Sequence, residues 1–333
     1  MSKMGTIDLC CGMGGLSYAA QKAGLSVWAG VDIFKNALSS FKTNFPRALT
    51  IYGDISGEHF FDQHLQEINS IRCKADGLVI ISGPPCQGFS EAGSRRADDP
   101  RNEVLVSVAK AIVRFKPEAA IIENVAALRR AKNSKVLRRF RAMLNTAGYH
   151  VYGFELNALD FGAPQKRRRM IYFVLPFAVQ KRCITESLKT FHKSAEKVKT
   201  TIGDLPVPLV RPFDYDPAED TGTPMNHYAM RHSERVKKKI AMIEPGKGPL
   251  SYRKLNPDSY AATLLSGHRA PPVHYDQPRS ITVREALRLQ GFPDVFRVMG
   301  PFGNQMEQVT NAVPVQLGEA VISVLLKLLG ENK

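Results

Sequence analysis

Short apolar runs alternate with helix-like segments through the first half of the chain. Six runs can each supply a strand: TIDL, SVWAGVD, ALTIYGD, GLVIIS, EAAIIEN and RMIYFVL. Between and after them, apolar residues at helical spacing predict helices over Asn102–Phe115 and Val136–Ala147. This alternation is typical of βαβ units around a mainly parallel sheet, so the pattern predicts an α/β fold.

The alternation is lost from about Gln180. The segment up to about Asp276 contains many prolines and a basic run, RVKKK, which predicts a separate irregular domain. After it, SITVREALRLQGF has helical spacing with a Ser/Thr start, and VQLGEAVISVLLKLL predicts a strongly apolar final helix. We therefore predict a first domain over 1–179, a second over 180–276, and a return to the first domain over 277–333.

Composition narrows the class of protein. The chain has 333 residues, of which 44% are hydrophobic, enough to bury a full core. No run of about 18 apolar residues occurs, and MSKMGTIDLCCG does not resemble a signal peptide, so we expect a cytoplasmic protein. The five cysteines include no C-x-x-C pair and the histidines show no metal-binding spacing, so we expect neither disulfides nor a metal site.

The net charge of +15 favours a polyanionic partner such as nucleic acid. A merely solvated positive face explains the same number equally well, so the charge alone decides nothing.

A glycine-rich loop, DLCCGMGGLS, follows the first predicted strand. Glycines let a backbone approach a ligand closely, which suits a nucleotide-like cofactor, although a turn that only packs a helix on a strand has the same pattern. Asp32 and Asp54 end the next two predicted strands. An acid at the second strand end is well placed for a ribose hydroxyl pair, whereas the alternative is an ordinary turn aspartate.

The stretch GPPCQGFS places Cys86 behind Pro84 and Pro85, directly after a strand. Two prolines stiffen the backbone, so the thiol is presented on a rigid loop, as a nucleophile requires. The alternative is a small buried apolar residue, which is how most cysteines behave.

Glu123 closes the apolar strand IIENV. A carboxylate there must be paired or hydrogen-bonded, and burial tends to raise the pKa of a carboxyl group, which would let it donate a proton near neutrality. A structural ion pair is the equally simple alternative.

The run APQKRRRMIYFV contains a cluster of polar and basic residues. Side chains alternate along a strand, so Gln165, Arg167 and Arg169 share one face, and Lys166 and Arg168 share the other. One face can aim arginine donors at a carbonyl or a phosphate, while a solvated basic edge explains the run as well.

Taken in order, these motifs resemble the DNA cytosine-5 methyltransferase family over nearly the whole chain outside the irregular domain. The motifs that carry the resemblance are DLCCGMGG, GPPCQGFS with AGSRRADDPRN, ENV, FGAPQKRRR, REALRLQGFP and TNAVP. The resemblance implies a Rossmann-like, S-adenosylmethionine-dependent methyltransferase sheet with a smaller, irregular target-recognition domain. It also implies methyl transfer to C5 of a cytosine that is flipped out of duplex DNA into a cleft between the two domains.

The resemblance also assigns residues. Cys86 would attack C6 of the cytosine, Glu123 would contact N3 and the exocyclic amine, and Arg167 with Arg169 would address the O2 carbonyl. The residues expected to bind S-adenosylmethionine are Asp8, Cys10, Gly12, Gly14, Gly15, Leu16, Asp32, Ile33, Asp54, Ile55, Pro84 and Asn311. Those expected to bind double-stranded DNA are Gln87, Ser90, Arg95, Gln165, Thr263 and, as phosphate contacts, Lys237, Lys238 and Lys239.

Departures from the family pattern cluster at the cofactor motifs. Cys10 stands where an aromatic residue is usual, Asp32 is shorter than the usual Glu, and Ile33 replaces that acid's aromatic neighbour. Thr310 and Asn311 stand where the family commonly has Gly-Asn. We hypothesise weaker or altered recognition of the adenosine portion, including acceptance of a modified cofactor.

Alternative functions stay open at this point. One branch of the family modifies tRNA, although QGFS and the sizeable irregular domain favour DNA. An enzyme that takes its carbon from a folate is disfavoured by the glycine loop and Asp32. A DNA-binding protein without catalysis is disfavoured by the intact Cys86, Glu123 and arginine pair. The resemblance is to bacterial or phage enzymes, so we expect a cytoplasmic, nucleoid-associated monomer with a possible partner restriction endonuclease.

Overall fold

The protein is described by a computed structural model over residues 4–72, 77–85, 103–129, 134–212, 216–217, 220, 222, 224–249, 252–265 and 271–331. The chain forms two compact units, the first made of residues 1–157, 168–192 and 317–333, the second of 158–167 and 193–316. The predicted boundaries differ from this division, because the second unit continues to Gln316 and also contains Ala158–Arg167. The assignment of 180–276 to target recognition stays a prediction.

The helices and strands follow one another in the predicted alternating order through the first half. In chain order the elements are β1 Met4–Leu9, α1 Gly15–Lys22, β2 Ser26–Asp32, α2 Lys35–Asn44, β3 Leu49–Tyr52, α3 Phe60–Gln63, α4 Leu65–Arg72, β4 Gly77–Ser82, α5 Glu103–Phe115, β5 Ala119–Val125, α6 Ser134–Thr146, β6 His150–Asn157, β7 Gln165–Lys166, β8 Arg168–Leu175, α7 Lys181–Lys189, α8 Val198–Ile202, α9 Glu234–Ala241, β9 Ala261–Ala262, α10 Val283–Leu289, α11 Phe302–Asn311 and α12 Val315–Glu331. Short 3₁₀ turns cover Ala126–Arg129 and Ala158–Asp160.

The first unit is built on a seven-stranded sheet with the order β3-β2-β1-β4-β5-β8-β6. β1 to β5 pair in parallel, whereas β8 runs antiparallel to both of its neighbours. The predicted mainly parallel α/β sheet is therefore confirmed. Because β8 is reversed, its first residues meet the carboxyl end of β5, and Arg169 lies opposite Val125.

The central strands are buried throughout. Every residue of β1 and β4 is buried, and the core on one side of the sheet includes apolar residues of α5 and α6, such as Ile112 and Phe140. Strands covered on both faces read as continuous apolar runs, which is why the sequence marks them clearly. The same burial fixes their carboxyl ends, where ligands bind in sheets of this type.

The second unit contains the short parallel pair β7 and β9 and a buried polar cluster around α10. Thr282 is the N-cap residue of α10 and forms a capping box with Glu285. Its hydroxyl accepts from the Glu285 amide, while the Glu285 carboxylate accepts from the Thr282 amide. Glu285 also forms a two-contact ion pair with Arg279, at 2.8 and 2.6 Å. The predicted Ser/Thr start of this helix is confirmed.

One helical stretch in the described part of the chain, Phe302–Glu331, is long and apolar enough to cross a membrane by length and composition alone. It comprises α11 and α12, and 67% of its apolar window is buried within the protein. Core helices commonly meet the same criterion, so this stretch is weak evidence for a membrane span.

Candidate active site and DNA-recognition residues

The loop between β1 and α1 contains residues in the left-handed backbone conformation that glycine adopts most readily. Cys10, Gly12 and Gly14 have φ angles of 64°, 55° and 96°, in the left-handed region. A Cβ on Gly14 would lie 2.4 Å from the ring of Phe45, so only glycine fits there without movement of that ring. Gly15 and Leu16, which begin α1, are buried. The loop is therefore held in one shape across the carboxyl end of β1.

Asp32, at the end of β2, ties this loop to the sheet. Its carboxylate accepts hydrogen bonds from the amides of Gly12, at 2.7 Å, and Phe34, at 2.8 Å. Burial raises the pKa of this carboxyl above its ordinary value, while the backbone hydrogen bonds oppose the shift. Ile33, the next residue, is 60% exposed. The carboxylate is thus fixed at the strand end, beside an apolar side chain that is open to a ligand.

Asp8 is a buried carboxyl group with few partners. Its Oδ2 accepts from the Ser17 hydroxyl at 2.7 Å, and its Oδ1 has no hydrogen-bond partner among the described residues. Burial raises the pKa of Asp8 to about 8. The group is consequently neutral below about that pH, a state that no local sequence pattern indicates.

Neither cysteine of the loop is suited to nucleophilic attack. Cys11 is buried and Cys10 is half-buried. Burial, with Asp32 nearby, raises the pKa of both thiols well above the ordinary value, so both stay protonated. Cys86, the predicted nucleophile, lies outside the described residues.

The neighbouring strand ends add further polar groups. Asp54 is exposed, and one of its oxygens accepts from the amide and hydroxyl of Ser56, at 2.8 and 2.7 Å, whereas Ile55 is buried. Tyr52, which the sequence did not single out, is 54% exposed at the end of β3 and lies opposite Asp32 in the sheet. Tyr52 is therefore a further candidate for ligand contact. In the sequence it can be identified because it directly precedes Gly53, Asp54 and Ile55, the residues that follow β3.

The start of the proline loop is anchored to the sheet. The Ser82 hydroxyl donates to the Leu9 carbonyl, which links the ends of β4 and β1. Pro84 is buried, and its carbonyl accepts from the Asn124 side-chain amide at 3.4 Å. Asn124 lies within the ENV motif, and its side chain links that motif to the proline loop.

Glu123 and Arg169 form an ion pair at the carboxyl end of β5. The Arg169 Nε lies 2.7 Å from a Glu123 carboxylate oxygen, and their side chains are 14% and 10% exposed. A second Arg169 nitrogen donates to the Arg168 carbonyl at 2.8 Å. A nearly buried carboxylate is costly unless it is paired, so the reversal of β8 is what allows Glu123 to occupy this strand end.

Arg167 and Gln165 are buried, and their side chains contact other residues of the second unit. Arg167 is 1% exposed, belongs to the second unit, and donates to the carbonyls of Leu264, at 3.2 Å, and Thr310, at 2.6 Å. Gln165 is fully buried, and its amide contacts Leu289, Gln290 and Leu264. Both side chains therefore have partners within the second unit, and the predicted roles of Arg167 in catalysis and of Gln165 in DNA binding stay predictions.

The remaining predicted DNA and cofactor residues of the second unit lie nearer its surface. Thr263 is half-buried, and its hydroxyl donates to the Lys166 carbonyl at 2.8 Å. On α9, Lys237 pairs with Glu234 at 2.8 Å, while Lys238 and Lys239 are exposed. Asn311 is exposed at the end of α11. Gln87, Ser90 and Arg95 lie outside the described residues.

The first unit thus brings together one group of predicted residues at the carboxyl edge of its sheet. This group contains Asp8, Cys10, Gly12, Gly14, Asp32, Asp54, Pro84, Glu123 and Arg169. Among the described residues, no three His, Cys, Asp or Glu side chains are arranged to hold a metal ion. The edge combines a glycine loop, fixed carboxylates and one arginine, a set suited to a nucleotide-like ligand and a polar base.

Comparison with known proteins supports this description. The sequence model of the C-5 cytosine-specific DNA methylase family matches residues 4–327. The Type II methyltransferase M1.HphI of Haemophilus parahaemolyticus is 31% identical over 338 residues, which cover 97% of this chain and 86% of that protein.

Solved structures give the same result. An E. coli prophage protein assigned as a DNA modification methyltransferase superposes with a TM-score of 0.80 at 25% identity, covering 98% of this chain and 99% of that one. The Dnmt2 methyltransferase of S. pombe superposes with a TM-score of 0.64 at 19% identity, covering 98% of each chain, and shows the shared fold alone. The chain belongs to the C-5 cytosine-specific DNA methylase family and is a DNA cytosine-5 methyltransferase.

Proposed function

We propose that the chain methylates C5 of a flipped-out cytosine in one specific duplex sequence, with S-adenosylmethionine as the methyl donor and Cys86 as the nucleophile. The observation that carries this proposal is the Glu123–Arg169 ion pair at the carboxyl edge of the sheet. It places an acceptor and a donor side by side, as the edge of a cytosine ring requires. Cys86 follows β4, which is the direct neighbour of β5 in that sheet.

The reaction begins at the cytosine ring. The Cys86 thiolate forms a bond to C6, which pushes electron density to C5 and makes that carbon nucleophilic. Glu123 contacts N3 and accepts from the exocyclic amine, which orients the ring, and Arg169 donates to the O2 carbonyl and stabilises the negative charge that develops on the ring. After C5 is methylated, loss of the C5 proton and departure of Cys86 restore the aromatic ring.

The residues at the cofactor edge fit S-adenosylmethionine. The glycine loop lets backbone approach the ligand, Asp32 is fixed where a ribose hydroxyl pair would lie, and Ile33 and Tyr52 offer exposed surface to the adenine. The Asp8 Oδ1, which has no hydrogen-bond partner among the residues that the structure describes, is a buried polar atom at the same edge. When bound, this cofactor supplies an electrophilic methyl group.

The cofactor departures noted in the sequence lead to a further part of the proposal. We propose that Cys10, Asp32, Ile33 and Thr310 together weaken recognition of the adenosine portion relative to the family or admit a modified donor. A dissociation constant for S-adenosylmethionine in the family's ordinary range would contradict this part.

We propose that the second unit recognises the DNA. Lys238 and Lys239 are exposed cations suited to phosphate contacts, and Thr263 is a candidate for contact near the bases. The family's chemistry requires the cytosine to leave the duplex, because its reacting carbons are not accessible within the stack. We further propose a monomer that acts on DNA in the cytoplasm, associated with the nucleoid, either alone or beside a partner restriction endonuclease.

Nucleoside mass spectrometry tests the proposal. DNA from cells that express the wild-type chain should contain 5-methylcytosine, and DNA from cells that express Cys86→Ala should contain none. Cys183→Ala is the matched control, because Cys183 is an exposed free cysteine on α7 and its loss should leave the product unchanged. A product of another mass would indicate a modified donor, and 5-methylcytosine with Cys86→Ala would contradict the assigned nucleophile.

A further inference from the structure

A buried serine joins two strand ends that lead to different parts of the candidate site. Ser82 is the last residue of β4, is fully buried, and lies opposite Leu9, the last residue of β1. Its hydroxyl donates to the Leu9 carbonyl. The chain continues from Leu9 into the glycine loop, and from Ser82 through Gly83 and two prolines to Cys86. One side chain therefore connects the strand before the proposed cofactor loop to the strand before the proposed nucleophile.

The cofactor side of this contact also involves Cys10. Cys10 follows Leu9 and has a φ of 64°, so the chain turns there. Burial raises the pKa of the Cys10 thiol well above its ordinary value, and a hydrogen bond with the Ser82 side chain opposes that shift. A hydroxyl donates to one group while it accepts from another, so Ser82 can hold the Leu9 carbonyl and the Cys10 thiol together.

The residues that follow Ser82 are held from the opposite direction, by β5. A Cβ on Gly83 would lie 3.5 Å from a carboxylate oxygen of Glu123, so the backbone of Gly83 lies against that side chain. The Pro84 carbonyl accepts from the Asn124 side-chain amide at 3.4 Å. The three residues from Ser82 to Pro84 are thus fixed to β1 on one side and to β5 on the other.

A second hydroxyl joins the same two strands away from this edge. The Thr6 Oγ1 donates to the Val79 carbonyl at 3.0 Å, and Thr6 is fully buried like Ser82. Thr6 and Val79 lie opposite each other, earlier in the same strands than Leu9 and Ser82. The two contacts have the same chemistry and join the same pair of strands. A purely structural role therefore predicts the same consequences when either hydroxyl is removed.

We propose that Ser82 is a positioning residue that sets the distance between the bound methyl donor and the cytosine held by the nucleophile. This inference rests on the proposed function, in which Cys86 attacks C6. That attack requires alignment of the thiolate and the base, whereas methyl transfer also requires the methyl group of the donor to face C5. Because a small misplacement of reacting groups is costly in rate, loss of the Ser82 hydroxyl should affect methyl transfer more than attack.

Two rates measured on the same protein separate these steps. Without the donor, addition of the thiolate to C6 lets C5 take up a proton from water. Loss of the original C5 hydrogen and departure of the thiolate then return a cytosine with an exchanged hydrogen. Release of tritium from duplex DNA of mixed sequence that is tritiated at C5 of cytosine thus measures attack. With saturating S-adenosylmethionine and excess protein, formation of 5-methylcytosine in a single turnover measures methyl transfer.

We expect Ser82→Ala to reduce the rate of methyl transfer roughly 10- to 100-fold, while the rate of tritium release without the donor stays close to that of the wild type. Thr6→Val is the matched control, because it removes the equivalent buried hydroxyl between the same strands and should leave the ratio of the two rates unchanged. Urea unfolding of both variants verifies that each is folded under the assay conditions.

Two results would overturn the inference. Equal losses of both rates in a folded Ser82→Ala protein would show that the hydroxyl does not act on the distance between donor and base, and two unchanged rates would show that it is not needed. If Ser82→Ala does not fold, Ser82→Thr and Ser82→Val make the same comparison, because their side chains have similar shapes and only threonine keeps a hydroxyl. The valine variant alone should then lose methyl transfer selectively. A wild type that neither releases tritium nor forms 5-methylcytosine would contradict the proposed function itself, which is a distinguishable result.

Discussion

Replacing Asp8 by asparagine should stabilise the protein in a pH-dependent way. Asp8 is 1% exposed, and Ser17 is the described residue that donates to its carboxyl group. Burial raises the pKa of this carboxyl from 3.8 to about 8, so the native protein keeps a proton that the unfolded chain releases at neutral pH. Asparagine has the same shape and cannot ionise, so it removes this difference between the two states.

The magnitude follows from the difference in pKa. At pH 7 the solution is about 3 units above the ordinary pKa, and each unit corresponds to about 1.4 kcal/mol, so the buried carboxyl costs about 4 kcal/mol. The native state binds more protons than the unfolded state between about pH 4 and pH 8, so this contribution to stability falls as the pH rises through that range. Below about pH 4 both states are protonated and the cost disappears.

Urea unfolding of the wild type and of Asp8→Asn, without added cofactor and at several pH values between about 4 and 8, measures the effect. The free energy of unfolding of Asp8→Asn should exceed that of the wild type by an amount that grows with pH. Glu58→Gln is the control, because Glu58 is exposed and its replacement should give a difference that does not change with pH. A constant difference between Asp8→Asn and the wild type over the whole range would refute the reasoning.

Three other changes test the described geometry. Arg169→Ala should lower the free energy of unfolding by about 3–5 kcal/mol and abolish methylation, because Glu123 would stay buried without its partner. A variant that is as stable as the wild type in urea would contradict the pairing. Gly14→Ala should lower the free energy of unfolding by about 1–3 kcal/mol more than Gly12→Ala. Both positions have a positive φ, but only the new Cβ at Gly14 meets an aromatic ring, and equal melting curves for the two variants would argue against this. Burial lowers the pKa of His274 from 6.5 to about 4, so the native protein keeps this group neutral where the unfolded chain binds a proton. The free energy of unfolding should therefore fall by about 3 kcal/mol as the pH falls through that interval. Acid unfolding that is unaffected by His274→Gln would oppose this prediction.

The buried strands could be predicted from the sequence almost to the residue. β4 coincides with the apolar run GLVIIS, because a strand covered on both faces consists of nearly uninterrupted apolar residues. β2 coincides with SVWAGVD, of which Ala29, Gly30 and Val31 are buried. β6 was missed because its residues are mostly half-buried and include Gly153 and Glu155. α11 was missed because two glutamines, Gln305 and Gln308, occupy buried positions where apolar residues would have produced a helical pattern.

The candidate site was predictable only where local position decides it. Asp32 and Glu123 follow from the rule that parallel strands end at a common edge. The surroundings of Arg167 do not follow from any local pattern, since its carbonyl partners lie 97 and 143 positions further along the chain. Alternation along a strand predicts Arg167 and Arg169 on one face, but Arg167 lies between β7 and β8 and not within a strand, and the pattern does not show that its side chain is buried.

Polar residues that carry the family resemblance also stabilise the fold of the second unit. Arg284, in REALRLQGFP, is fully buried and donates to three carbonyls, those of Met225, Pro293 and Phe296. A buried guanidinium is tolerated because its donors are used, and a shorter or neutral replacement would leave carbonyls unpaired at a cost of about 1–3 kcal/mol each. Loss of methylation in an Arg284 variant would therefore report unfolding of this unit, whereas loss of methylation at full stability would identify residues that act on the cytosine or the cofactor. Stability and product formation must be measured on the same variants before a motif residue is assigned a chemical role.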